Sequence, residues 1–132
     1  MVIFMIYNGT SLFISDNSGA KKTQCIKVYR CKKKFGIEGS IICNSVKVLR
    51  SSKRINMRVK KGEVVSALII TTKIFRFYTK VSSHAIAFKK NSAILINKQH
   101  KLIGTRILNP FSIFFRQTRY LKLTFLAPGL IK

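Results

Sequence analysis

The sequence predicts a mainly β fold, a small closed β-barrel with a short C-terminal helical segment. Two observations predict the barrel. Short segments rich in Ile, Val and Thr recur with turn residues between them, and residues 23–29 alternate with the period of two that marks one buried face. A third observation predicts the helical segment, because apolar residues take helical spacing only after residue 110. Closure also removes sheet edges, which otherwise invite aggregation.

Strands are predicted where β-branched and apolar residues cluster, at residues 12–15, 23–29, 40–48, 64–72, 85–88, 92–96 and 104–107. The strongest pattern is that of residues 64–72, which are mostly bulky or β-branched. Segments 85–88 and 92–96 are expected to pair through the turn Lys89-Lys90-Asn91. Residues 75–81 are expected to form an extended hairpin arm.

Turns are predicted between these strands. Asp16-Asn17-Ser18-Gly19 follows the first strand, because Asp and Asn bond to their own backbone and Gly adopts positive φ freely. Lys61-Gly62-Glu63 precedes the strand at 64–72, and residues 31–39 form a basic loop. A short helix is expected near residues 113–121, with a further helical turn or strand at 123–126. Ala127-Pro128-Gly129 is expected to end the regular structure.

The length of 132 residues suits one domain. We expect a single domain over residues 1–132, with residues 1–10 as an apolar N-terminal arm or strand and residues 110–132 as the C-terminal helical part. The apolar runs fall well short of the roughly 18–20 residues of a membrane-spanning helix, so no membrane anchor is expected.

Net charge is the strongest functional signal. The chain has 26 Lys and Arg against 3 Asp and Glu, a formal net charge of +23. A compact domain with that charge repels itself and needs a polyanion nearby. Nucleic acid offers the densest regular charge, since each Lys or Arg placed on a phosphate releases a counterion. An anionic membrane surface would call for a long basic amphipathic helix, which the sequence does not offer.

The candidate RNA-binding residues are Lys and Arg, most of them in loops and turns, where side chains can spread over a phosphate surface. The densest group lies between residues 47 and 61 and contains no acid. A surface that only keeps a protein soluble mixes both signs of charge, and this one does not. The residues predicted to bind RNA are Lys21, Lys22, Lys32, Lys33, Lys34, Lys47, Arg50, Lys53, Arg54, Arg58, Lys60, Lys61, Lys73, Arg76, Arg106 and Arg116.

Aromatic residues are interleaved with charge at residues 75–78 and 114–116. Such rings can stack on unpaired bases, although most are expected in the core. The candidates for base stacking are Phe77, Tyr78 and Phe115.

Catalysis is poorly supported. Asp16, Glu38 and Glu63 each lie in or beside a turn that contains glycine, and they are far apart in sequence, whereas general acid–base catalysis needs a positioned pair. The three cysteines have neither the even number of a disulfide framework nor the C-x-x-C spacing of a zinc site. We therefore expect no catalytic residue, no metal and no cofactor, and mostly buried, reduced thiols.

Several short motifs occur in one order along the chain. The first, Asp16-Asn17-Ser18-Gly19-Ala20-Lys21-Lys22, resembles a signature of the family of universal large-subunit ribosomal protein number fourteen. Single motifs of this kind are weak, but six in the same order are specific, and the resemblance covers about residues 11–131. The further matching blocks are Gly39-Ser40-Ile41-Ile42, Val59-Lys60-Lys61-Gly62-Glu63-Val64, Asn91-Ser92-Ala93-Ile94-Leu95-Ile96-Asn97, Ile103-Gly104-Thr105-Arg106-Ile107 and Leu126-Ala127-Pro128.

The resemblance implies a closed five-stranded, OB-like barrel with a small C-terminal helical part that binds large-subunit rRNA. It also implies contact with small-subunit rRNA in an intersubunit bridge, and with large-subunit proteins number three and number nineteen, the latter through a shared sheet. A ribosome-silencing factor would bind at Thr105, Arg106 and Lys122. The chain lacks the acids that the family usually has near residues 88–90, at Ser40 and in the C-terminal helix, which changes the surface such a factor would meet.

Heavy use of Ile, Lys, Asn and Phe is typical of an A+T-rich genome, and the N-terminus lacks the pattern of a transit peptide. We therefore expect a mitochondrial ribosomal protein encoded in the organelle, with a plastid or the bacterial cytoplasm as alternatives. The functional alternatives are a free-standing RNA-binding regulator of the same fold, a cationic membrane-surface protein and, least supported, an enzyme.

Overall fold

The computed structural model describes residues 5–29, 35–51, 57–73, 76–77, 85–117 and 120–131. Most of the described regular structure is strand. A 3-10 helix and one short α-helix occur near the C-terminal end. In chain order the elements are β1 (Ser11–Ile14), β2 (Ala20–Val28), β3 (Ile41–Leu49), β4 (Val64–Thr71), β5 (Arg76–Phe77), β6 (Ala85–Ile86), β7 (Ser92–Ile96), β8 (Phe111–Ser112), the 3-10 helix Ile113–Gln117, α1 (Leu121–Leu126) and β9 (Leu130–Ile131).

Five strands close into a barrel in the order β1-β2-β3-β4-β7. Neighbouring strands are antiparallel except β1 and β7, which close the barrel in parallel, with Phe13 opposite Ser92 and Ile14 opposite Ala93. The predicted fold class is therefore confirmed. Closure pairs both sides of each barrel strand, so the barrel itself has no free edge.

Among the described residues the barrel interior is mostly apolar and includes the polar pair Asn44 and Thr23. The Asn44 amide nitrogen donates a hydrogen bond to the Thr23 hydroxyl over 2.9 Å, whereas the buried Asn44 Oδ1 accepts none. The alternation predicted for residues 23–29 holds only in part. Thr23 and Cys25 face inward and Ile26 is 46% exposed, but a register shift against β3 between Cys25 and Lys27 then leaves Lys27 exposed and packs Val28 against the core. The interior is filled by Leu12, Ile14, Cys25, Ile42, Val46, Ala67, Ile69, Ala93 and Leu95, among others.

A second apolar core lies outside the barrel, where the C-terminal part covers β4 and β7. Every residue of β7 is buried, which accounts for its unbroken apolar run in place of alternation. Phe115 is fully buried here, and its ring meets that of Phe111 edge-on at a centroid distance of 5.2 Å. The expectation that Phe115 stacks on RNA bases is therefore wrong. This core contains Leu68, Ile70, Ile94, Ile107, Phe111, Phe115 and Leu123.

The strand pairing predicted for residues 85–88 and 92–96 is wrong. β6 pairs with β5, whereas β7 pairs with β4 and β1 inside the barrel. The reason is that both faces of β7 are buried, so β7 lies between two barrel strands and does not form a separate hairpin with β6. The β5–β6 pair is the described part of the predicted arm, and Tyr78 lies outside the described residues.

Three further local predictions differ from the structure. Residues 104–107 form no strand, and Ile107 makes only an isolated bridge to Asp16. In place of one helix at 113–121, the structure has a 3-10 helix over Ile113–Gln117 and then α1. The course of the chain in this segment follows from the packing of its Phe rings on the barrel. Regular structure also resumes after Gly129, since β9 pairs in parallel with β8.

Candidate nucleic-acid interface

The turn between β1 and β2 organises one end of the barrel. Asp16 is buried, and its Oδ1 accepts hydrogen bonds from the backbone N–H of Ser18, over 3.0 Å, and from the Ser18 hydroxyl. Its Oδ2 accepts a hydrogen bond from the backbone N–H of Leu95 over 2.8 Å. The carboxylate therefore holds the turn in shape and also fixes it to β7.

Asn17, the next residue of this turn, holds the loop that contains Thr105 and Arg106. Its Nδ2 donates to the Thr105 hydroxyl over 2.8 Å, and its Oδ1 accepts from the N–H groups of Thr105 and Arg106 over 2.7 and 3.2 Å. Gly104 permits this approach, because a Cβ there would lie only 2.8 Å from Asn17 Oδ1. Asn17 thus presents the exposed Arg106 at this end of the barrel.

The loop that contains Arg58 is attached to the same turn. The backbone N–H of Arg58 donates to the Ser18 carbonyl over 2.9 Å, and the Arg58 guanidinium donates to the carbonyl of Ile103. Gly19 has φ +102°, and a Cβ there would lie 3.1 Å from the Cα of Met57, so the two backbones are closely packed. Three segments distant in sequence therefore meet at one end of the barrel.

Exposed cations on these three segments form what we call the basic rim. They come from the start of β2, the loop before β4 and the loop after β7, and each side chain is exposed to solvent. The sequence predicted each of them as an RNA-binding residue, and hydrogen bonds around the turn now bring their segments together. The basic rim consists of Lys21, Arg58, Lys60, Lys61 and Arg106.

Arg50 differs from the rim residues because its side chain is partly used inside the protein. Its Nε donates to the Ala20 carbonyl over 3.3 Å and its Nη2 to the Ile14 carbonyl over 2.8 Å. The half-buried guanidinium thus braces β1 against β2. A contact between Arg50 and RNA stays a prediction.

Little negative charge opposes the rim. The chain has three acids, of which Asp16 is 1% and Glu38 is 3% exposed. Glu38 accepts hydrogen bonds from the N–H and the hydroxyl of Thr72, both over 3.2 Å. Glu63 is exposed and accepts a hydrogen bond from the backbone N–H of Lys60 over 2.8 Å. With a single exposed acidic side chain, the protein cannot neutralise its own basic surface.

The remaining predicted cations lie elsewhere. Lys47 is exposed on β3, next to Val46, whose backbone bonds to residues 62 and 63. Lys22 and Lys73 are exposed, Arg116 is exposed in the 3-10 helix, and Arg76 lies in β5. Of the proposed protein-partner residues, Thr105 belongs to the loop held by Asn17, and Lys122 is exposed on α1. The predicted residues outside the described ranges are Lys32, Lys33, Lys34, Lys53 and Arg54.

The buried Cys25 is not poised for nucleophilic chemistry. Burial, with a smaller effect of the neighbouring Cys43, raises the pKa of the Cys25 thiol to about 11. Cys25 therefore stays protonated at neutral pH and is a poor nucleophile. Within the described ranges, no group of three or more His, Cys, Asp or Glu could hold a metal ion, and no helix is long and apolar enough to cross a membrane.

A family model described as ribosomal protein L14p/L23e matches residues 5–131 of the chain. The chain belongs to this family. The match includes the barrel, the basic rim and the C-terminal part, so this L14p/L23e protein is a structural component of the large ribosomal subunit, where it binds rRNA and other components.

Sequence reasoning missed two contributors to the basic surface of this L14p/L23e protein. The sequence pattern predicts only a turn at Asn17. In the structure Asn17 also bonds to Thr105, which is 88 residues further along the chain, and to Arg106, which is 89 residues further along. Lys90 was interpreted only as part of a turn, yet its Nζ lies 4.9 Å from the centroid of the Phe13 ring. The adjacent pair Lys89-Lys90 was the available signal for the second of these.

Proposed function

We propose that this protein binds large-subunit rRNA through the basic rim and so helps to fix the packing of rRNA helices. The observation that carries the proposal is the convergence of three basic segments on the turn around Asp16 and Asn17. The closed barrel is a rigid frame, and loops at its end supply the charges. Such contacts go mainly to phosphates, so they set affinity and register while base identity matters little.

We further propose that the protein contributes to an intersubunit bridge by binding small-subunit rRNA. Support comes from cations outside the rim, because Lys22 and Lys73 are exposed near β1 and Arg116 is exposed in the C-terminal part. A chain with basic side chains on several elements can neutralise more than one RNA segment.

Protein neighbours are part of the same proposal. Large-subunit proteins number three and number nineteen are proposed as neighbours, the latter through a sheet shared with this chain. A ribosome-silencing factor is proposed to bind at Thr105, Arg106 and Lys122. The surface around Lys122 supports a protein contact, because Leu121 and Phe125 on the same helix are 45% and 80% exposed.

We propose a mitochondrial ribosome as the location, with the chain acting as a single domain over residues 1–132. Sedimentation of native ribosomes from purified mitochondria tests both the location and the function. The protein should appear in the large-subunit peak and remain there at moderate salt. A protein that stays near the top of the gradient would instead be the free-standing RNA-binding regulator.

Replacing Asn17 by alanine should release residues 104–106 from the turn and leave the barrel folded. The variant loses three hydrogen bonds, but their partners are exposed and can bond to water instead, so the cost is modest. We expect the affinity for large-subunit rRNA to fall about fivefold, the equivalent of about 1 kcal/mol. Filter binding measures the affinity. Hydrogen exchange at the amides of Thr105 and Arg106 should accelerate in the same variant.

Ser40→Ala is the control for this substitution. Ser40 Oγ also accepts a backbone hydrogen bond, from the N–H of Ile37 over 3.2 Å, but it lies before the start of β3, at the opposite end of the barrel from Asn17. This variant should lose local protection without losing RNA affinity. Equal RNA affinity of the Asn17 and Ser40 variants would show that presentation of the 104–106 loop does not matter for binding.

A further inference from the structure

Phe13 on β1 lies close to two lysine side chains. The register places Lys22 of β2 directly opposite Phe13, and Lys22 Nζ lies 5.2 Å from the centroid of the ring. Lys90, just before β7, brings its Nζ to 4.9 Å from the same centroid. Because β2 and β7 are the two neighbours of β1, the ammonium groups reach the ring from strands on its two sides.

The backbone that carries Lys90 is fixed by hydrogen bonds. The Thr71 hydroxyl donates to the Lys90 carbonyl over 3.0 Å, and the N–H of Phe13 donates to the Asn91 carbonyl over 3.0 Å. Asn91 Oδ1 accepts a further hydrogen bond from the N–H of Lys73 over 2.9 Å. These bonds tie the turn before β7 to β1 and β4, so Lys90 projects from a rigid base.

Among the described residues, no exposed acidic side chain lies beside these two ammonium groups. Asp16 and Glu38 are buried, and the carboxylate of Glu63 is bonded to the backbone of Lys60, in another part of the fold. An aromatic ring attracts a cation through its quadrupole, but it carries no net charge and cannot neutralise two ammonium groups. The pair is therefore open to a counter-charge from outside the chain.

We propose that Phe13, Lys22 and Lys90 form a phosphodiester-binding subsite, which we call the Phe13 subsite, separate from the basic rim. Lys22 and Lys90 bind phosphate oxygens of an RNA backbone, and the ring restricts both side chains beforehand. Less rotamer freedom is then lost on binding than for two free surface lysines. The inference rests on the proposed RNA binding and adds a second place where a phosphate chain is held.

The test uses the full-length protein, two probes and three variants. The probes are a single-stranded oligouridylate and an inorganic polyphosphate of equal charge. Lys22→Gln with Lys90→Gln removes both ammonium groups, and Phe13→Leu removes the ring but keeps apolar volume. The control is Lys27→Gln with Lys89→Gln, which removes the same charge from exposed residues outside both the Phe13 ring contacts and the rim segments.

For the double variant of the Phe13 subsite, the slope of log K against log salt should become shallower by about 1.4, since each phosphate contact on a single strand contributes about 0.7. The control should keep the wild-type slope on both probes. Phe13→Leu should keep the slope and lose about two- to fivefold in affinity on both probes, the size expected for exposed cation–π contacts. Thermal unfolding followed by circular dichroism verifies that each variant is folded.

Two results would overturn the Phe13 subsite. One is a double variant that behaves like its control. The other is a loss in Phe13→Leu that is confined to oligouridylate, which would mean that the ring stacks on a base. A wild-type protein that binds neither probe nor large-subunit rRNA would instead contradict the proposed RNA binding itself, so the two failures are distinguishable.

Discussion

Replacement of Asp16 by alanine should lower the free energy of unfolding by about 3–5 kcal/mol, because it removes a charged acceptor and leaves buried donors without partners. The donors are the N–H of Leu95, in the middle of β7, and the N–H and hydroxyl of Ser18, which is fully buried. A methyl group replaces none of these bonds. Chemical denaturation followed by circular dichroism measures the loss.

The control for Asp16→Ala is Glu63→Ala, which also removes an acid from a turn. Glu63 is exposed and accepts one backbone hydrogen bond, so its loss should cost no more than about 1 kcal/mol. If Asp16→Ala fails to fold, Asp16→Asn supplies the measurement. The Asn amide keeps one oxygen acceptor, but its NH2 group faces a donor that bonds to a carboxylate oxygen in the wild type. Equal, small effects of Asp16→Ala and Glu63→Ala would mean that the Asp16 bonds do not hold the barrel end together.

Asp16 and Glu63 show what the sequence could and could not predict. Both were interpreted as turn residues, and both are. The local pattern is enough for this. Asp16 begins a turn through a bond to the backbone two residues on, and Glu63 follows Gly62, which adopts positive φ. The bond from Asp16 to Leu95 spans 79 residues and depends on the parallel closure of β1 with β7. Closure of that kind leaves no local signal in either strand.

Burial on both faces explains most of the errors in the predicted strands. The period of two predicts a strand with one solvated face, which suits β1 and β3. β7 is covered inside by the barrel core and outside by the C-terminal part, so its apolar run could not indicate its partner. Phe115 belongs to the same outer core, and its neighbour Arg116 made it resemble an exposed ring.

The candidate site was predictable in composition but not in arrangement. Charge alone predicted that the rim residues bind RNA, because a chain with a net charge of +23 and three acids needs an outside polyanion to neutralise its Lys and Arg side chains. Charge could not separate Arg50, whose guanidinium bonds to the carbonyls of Ala20 and Ile14, from Arg106, whose side chain is exposed. That difference depends on which carbonyls the fold leaves within reach.

A variant with Lys21→Gln, Lys60→Gln and Arg106→Gln should lose about a hundredfold in affinity for large-subunit rRNA at about 0.1 M salt. Each residue is exposed and belongs to a different one of the three segments that meet at the turn. The slope of log K against log salt should become shallower by about 2, since three phosphate contacts are removed at about 0.7 each. Arg58 is left in place because its guanidinium also holds the Ile103 carbonyl.

The matched control removes three charges from exposed residues outside the three rim segments, by Lys27→Gln, Lys89→Gln and Lys122→Gln. Net charge falls equally in both triple variants, so a purely long-range attraction predicts equal losses of affinity. Phosphate contacts at the rim instead predict that the slope changes only in the rim variant. An unchanged slope there, with normal incorporation into large subunits, would remove the basic rim from the RNA interface. The basic rim differs from a diffuse positive surface in this respect, because charge that acts only at a distance needs no hydrogen bonds to hold it at one end of the barrel.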